Sequence, residues 1–116
     1  MTQVIIRADG NNQIGFGHIV RTQALAAQLQ ALGAKVTIVT RNPENIVLFE
    51  TALIPADMTL KKEFEYWVNI SQEMAAKIII VDSYAVDQVT LDKVGAIGAC
   101  SVYIDDLNRF DFNVDF

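Results

Sequence analysis

An apolar run, Val4-Ile5-Ile6, opens into the polar stretch Asp9-Gly10-Asn11-Asn12-Gln13-Ile14-Gly15-Phe16-Gly17-His18, and an amphipathic pattern then closes at Gly33. The order is strand, polar glycine loop, helix, an arrangement common in α/β proteins. Two glycines let backbone N–H groups approach a ligand closely, and the free N–H groups at a helix start attract anions such as phosphates. His18, the only histidine of the chain, stands where that helix begins. An imidazole beside an anion site can move protons at neutral pH. The bland alternative is a packing loop of an α/β protein, with His18 as a capping or packing residue.

The loop is neither of two familiar nucleotide motifs. A G-x-G-x-x-G fingerprint needs glycine or alanine where Val20 stands, and its acidic partner is missing after the second strand, which ends in Thr40-Arg41-Asn42. A P-loop needs Lys-Ser or Lys-Thr after its last glycine, and His18-Ile19 is neither.

Taken together, Arg7-Ala8-Asp9, the segment Ile14-Gly15-Phe16-Gly17-His18-Ile19 and Arg21 resemble the opening of the nucleotide-sugar hydrolases of pseudaminic acid biosynthesis and the related spore-coat polysaccharide biosynthesis proteins. The glycine loop and histidine are also similar to those of the lipid-linked peptidoglycan glucosaminyltransferase. Val81-Asp82-Ser83-Tyr84 and Tyr103-Ile104-Asp105-Asp106 fit the same family in order and spacing. The resemblance implies a glycosyltransferase B-like architecture of two domains. Residues 1–116 would be its single amino-terminal domain, the sugar-side half. The partner then expected is a carboxyl-terminal nucleotide-binding domain, with self-association through faces it would otherwise cover.

Composition bounds the rest. A chain of 116 residues can form one domain with its own core. Hydrophobic residues make up 52%, which suits strands covered on both faces. No apolar run approaches the ~20 residues that span a bilayer, and the first nine residues lack the charge pattern of a secretory signal. The expected location is the cytoplasm. Net charge is −5 with no basic block, which argues against nucleic acid or an anionic membrane as partner. Cys100 is the only cysteine, so an intrachain disulfide and a thiolate metal cluster are both excluded, and it reads as a reduced core residue.

Along the chain, Gln3 to Ala8 reads as the central strand. A helix is predicted from His18 to Leu32, with Val20, Ala24, Leu25, Leu29 and Leu32 at helical spacing. Lys35 to Thr40 is a second, β-branched strand. Asn42-Pro43 reads as an N-cap followed by proline at N1, predicting a short helix to about Leu53. Within it, Ile46-Val47-Leu48-Phe49 is equally readable as a strand, and Ile54-Pro55 as an edge strand or a turn. Thr59 to Ala76 is a helix whose apolar face includes Leu60, Phe64, Trp67, Val68 and Met74. Lys77 to Val81 has the unbroken apolar run of a buried parallel strand. A helix from Asp87 or Thr90 to Ile97, a strand over Ser101 to Ile104 and a last strand beginning at Phe112 complete the pattern. This alternation predicts an α/β fold with an open parallel sheet of the Rossmann type, flanked by helices.

In such sheets ligands bind beyond the carboxyl ends of the strands. Asp9, Asp82-Ser83-Tyr84 and Asp105-Asp106 all follow strands, so several carboxylates are expected near the loop that carries His18. Singly, such residues cap helices and shape turns. At a helix start the positive end of the dipole disfavours imidazolium, and a neutral imidazole suits a general base. The resemblance implies that His18 is that base, activating water against the anomeric carbon of a nucleotide-linked sugar, a UDP-linked deoxy amino sugar. It further implies a substrate site of Asp9, Gly15, Phe16, Gly17, Arg21, Asp82, Tyr84 and Asp106, in which the glycine amides adjoin the diphosphate and Tyr84 donates to a sugar hydroxyl. Arg21 has two further readings, a solvated helix residue or a partner of Asp9. No cofactor or metal is expected. The alternatives are a glycosyltransferase B-type transferase domain, whose acceptor is a sugar hydroxyl, and a non-catalytic half-domain that binds a sugar or a partner protein.

Overall fold

The computed structural model describes residues 2–9, 17–41, 46, 49–55, 57–82, 89, 92–93 and 98–104, with only the backbone of His18, Leu60 and Trp67. The elements run β1 (Gln3–Ala8), α1 (Gly17–Ala31), β2 (Lys35–Thr40), β3 (Glu50–Leu53), α2 (Leu60–Met74), β4 (Ile78–Asp82) and β5 (Cys100–Tyr103). The strands form one sheet in the order β3-β2-β1-β4-β5, and every pair is parallel. This is an α/β, Rossmann-like sheet with helices on its two faces.

The strands form where β-branched residues run without interruption. Ile6 of β1 stands opposite Ile38 of β2 and Ile80 of β4. Successive side chains point to opposite faces, so one run supplies two cores. Val4, Ile6 and Ala8 join Val36, Ile38 and Ile80 beneath Ile19 and Ala26 of α1. Ile5 joins Val39, Ile79, Val81 and Tyr103 on the other face, where Phe64, Tyr66, Ile70 and Met74 of α2 pack. Each fully buried Ile or Val contributes about 1.5–3 kcal/mol, which is why both faces of the sheet are lined chiefly by these residues.

Both helices end in the same way. Gly33 takes a φ of +95° while its N–H bonds to the carbonyl of Gln30 at 3.0 Å and that of Ala34 to Leu29 at 3.0 Å, a Schellman closure. In α2 the left-handed residue is Ala75, with φ 50° and ψ 49°, and Ala76 donates to the carbonyl of Ser71 at 3.0 Å. Thr59 caps the start of α2, its hydroxyl accepting from the amide of Lys62 at 3.3 Å.

Two expectations are corrected. The last part of the helix predicted to reach Leu53 is instead β3 over Glu50–Leu53, which pairs with β2 from Thr37↔Glu50 to Thr40↔Leu53, while residues 42–45 and 47–48 lie outside the described residues. As an edge strand it is largely exposed and lacks the apolar run that marks its neighbours, so its pairing decides its conformation. The amide of Ile54 extends that pairing to the carbonyl of Thr40 at 2.8 Å. The second correction is the rotation of α1. Val20, Ala24 and Leu32 were expected on its inner face and are exposed, Val20 at 65% and Leu32 at 84%. Ile19, Thr22 and Ala26 are the buried residues, flanked by Leu25 and Leu29. The outer side of α1 carries alanines and glutamines, so periodicity alone left its orientation ambiguous.

Val89, Asp92 and Lys93 are helical, in keeping with the helix expected there. Cys100 is a free thiol, half-buried at the start of β5. The strand expected from Phe112 lies outside the described residues. Among the described residues no helix is long and apolar enough to cross a membrane.

Candidate functional site

The strand order sets where a site can form. From β1 the chain crosses to β2 on one side, and from β4 it proceeds to β5 on the other, so the connections diverge between the adjacent strands β1 and β4. That divergence is the topological switch point, where open parallel sheets hold ligands beyond their carboxyl ends. Asp9 directly follows β1, Asp82 is the last residue of β4, and α1 begins at Gly17 with His18 in its first turn.

Two polar clusters occupy this edge, one on each face of the sheet. The first is built on Arg7, which has no exposed surface although it sits in the central strand. Its Nη1 donates to Oδ1 of Asp9 at 2.7 Å, while Nε and Nη2 donate to the two carboxylate oxygens of Glu63 in α2 at 3.2 and 3.1 Å. Arg41, just past β2, donates to Glu63 Oε1 through Nε at 3.3 Å and Nη2 at 2.9 Å. Its Nη1 and Nη2 also reach the carbonyls of Pro55 and Met58 at 3.1 and 2.9 Å. Two guanidinium groups thus face two carboxylates, the balance that burial of charge requires.

Asp9 is held ionised within this cluster. Burial alone would raise its pKa. The hydrogen bond and charge of Arg7 outweigh that, helped by the Arg41 amide at 2.8 Å and the Thr40 hydroxyl at 3.2 Å, and the carboxyl titrates below its ordinary range. The same pairing raises the pKa of Arg7 against its own desolvation. All three donors to Asp9 converge on Oδ1.

The second cluster lies on the α1 face. Asp82, without exposed surface, accepts from Arg21 Nη2 on Oδ1 at 2.6 Å and from Nε on Oδ2 at 2.7 Å. Thr22 adds its hydroxyl to Oδ2 at 3.3 Å. The partner of Arg21 is therefore Asp82 and not Asp9.

Of the expected site residues, the structure brings Arg21 and Asp82 together and sets Asp9 on the other face, with Arg7, Thr40, Arg41 and Glu63. Gly17 opens α1 on its exposed side, and a Cβ there would meet nothing within 4 Å. Gly15, Phe16, Tyr84 and Asp106 lie outside the described residues. Glu63, Arg41 and Thr40 were not anticipated, although one signal pointed to them. An arginine inside the run Val4-Ile5-Ile6-Arg7-Ala8 of a central strand must find buried carboxylates. Among the described residues no group of three or more His, Cys, Asp or Glu converges to hold a metal ion. Clefts of about 260 and 210 Å³, lined by residues such as Met58 and Lys62 in one and Ser71 and Lys77 in the other, include neither Asp9 nor Asp82.

Compared with known proteins, the chain matches no family model and no curated protein sequence.

Proposed function

We propose that this chain is the sugar-side, amino-terminal domain of a nucleotide-sugar hydrolase that acts in surface or spore-coat polysaccharide biosynthesis. The observation that carries the reading is that Arg21, in the helix that begins at Gly17, bonds at 2.6 and 2.7 Å to Asp82 at the carboxyl end of β4, next to the topological switch point between β1 and β4. The amides at the loop and helix start attract the diphosphate. His18 takes a proton from water, which attacks the anomeric carbon and releases the nucleoside diphosphate. Asp9, ionised and fixed through Oδ1, and Tyr84 orient the sugar. In this reading the nucleotide is held chiefly by a second domain, and the isolated chain binds nucleotide-sugars weakly and turns them over negligibly.

The test is hydrolysis of UDP-linked deoxy amino sugars by the protein expressed from its complete gene, with free sugar and glycoside separated as products. Free sugar supports hydrolysis. Glycoside formation with an added acceptor points to transfer instead. His18→Asn is expected to lower turnover by about 10²–10⁴ while nucleotide affinity is retained. Ordinary enzymatic rates from residues 1–116 alone would refute the division into two halves.

A further inference from the structure

We propose that Arg21 and Asp82 are a positioning pair that holds the first turns of α1, and with them His18, at the switch point. Asp82 is the last residue of β4 and stands opposite Ala8 in the register with β1. Its neighbour Val81 belongs to the α2-side core, so alternation turns Asp82 toward α1. Both of its oxygens are taken there, by the Arg21 fork at 2.6 and 2.7 Å and by the Thr22 hydroxyl at 3.3 Å. With no exposed surface, this carboxylate serves the helix and not a ligand.

The helix needs such a tie. α1 packs chiefly against β1 and β2, through Ile19, Ala26, Leu25 and Leu29. Its beginning faces the switch point, where the first N–H groups of a helix lack partners within it and fraying starts. The Arg21–Asp82 pair carries a bond from this end of α1 across to β4. Arg21 is three residues past His18, so the two positions are neighbours on the helix surface, and a shift of one moves the other. A bidentate pair defines orientation as well as distance, which a lysine in place of Arg21 does not.

The catalytic consequence rests on the hydrolase reading; the positional one does not. A general base must lie within hydrogen-bond reach of its water, and a displacement of 1 Å costs on the order of 10²-fold in rate. Asp82→Asn and Arg21→Lys are therefore expected to lower kcat by about 10–100-fold with KM little changed.

The test uses the single histidine as its reporter. NMR spectra of His18 and amide exchange along α1 are compared for the unaltered chain, Asp82→Asn and Arg21→Lys. Lys35→Gln, at the exposed Lys35–Glu50 pair of 3.8 Å, is the control. In the two test variants the His18 ring signals are expected to move, and exchange over residues 21–24 to quicken about tenfold or more, while β1 and β2 keep their protection. Unchanged His18 signals and unchanged α1 exchange in a folded Asp82→Asn chain would overturn the inference, and Arg21→Lys decides if that variant does not fold. If the complete protein releases no sugar, the hydrolase reading fails, and the exchange data still judge the pair.

Discussion

Arg7 and Glu63, 56 residues apart, meet through hydrogen bonds of 3.1 and 3.2 Å with neither side chain exposed. The central strand is thereby tied to α2 by charge as well as by packing of Ile5 beneath Phe64 and Ile70. Removing Glu63 leaves Arg7 to Asp9 alone, and removing Arg7 leaves Glu63 to Arg41 alone, a buried imbalance of charge that costs up to about 3–5 kcal/mol. Glu63→Leu and Arg7→Met should each destabilise by that order in urea unfolding. The double variant removes one charge of each sign from the cluster, so it should lose clearly less than the sum of the two. Strict additivity would show that the four groups do not act together.

Acid should weaken the fold through Asp9. Its folded pKa lies below the ordinary 3.8, so as pH falls the unfolded chain takes up this proton first. The stabilisation is complete above about pH 5 and drains away as pH drops through 3.8 toward the folded value. Unfolding free energies measured against pH should differ between the unaltered chain and Asp9→Asn, and the gap should close below about pH 4. A gap that stays constant with pH would contradict the role of Arg7 in holding Asp9 ionised.

The two helix ends offer a matched pair of substitutions. Ala75 carries a Cβ in the left-handed region at φ 50°, which costs about 1 kcal/mol relative to glycine. Ala75→Gly should therefore raise the melting temperature by about 4 °C. Gly33→Ala should lower stability by a similar amount for backbone reasons alone, because a Cβ at Gly33 would meet nothing within 4 Å. Calorimetry on both variants checks the opposite signs.

Gly17 separates the demands of the fold from those of a ligand. It is helical and open around its missing Cβ, so Gly17→Ala should fold with unchanged or slightly higher stability. If the α1 amides approach a diphosphate, the added methyl should weaken nucleotide-sugar binding about tenfold or more. Thermal melts and calorimetric titration of the same variant measure the two effects, and unaltered affinity would remove Gly17 from the site.

Four of the five strands among the described residues could be read locally, because Val4-Ile5-Ile6, Val36 to Thr40, Ile78 to Val81 and the short run to Tyr103 each carry the residues of a buried strand. So could α1 and α2, from Gly33 and from the apolar face of α2. The parallel sheet follows from their alternation. β3 was not readable, since Glu50-Thr51-Ala52-Leu53 acquires its conformation from pairing with β2. The rotation of α1 was not readable either, because its outer alanines are as compatible with burial as with solvent. Nor did the chain announce that Arg21 would choose Asp82 or that Arg7 would choose Glu63. Burial leaves a mark on every short run of residues. Which charge meets which depends on strand register and on the face each crossover takes, and those exist only once the sheet has assembled.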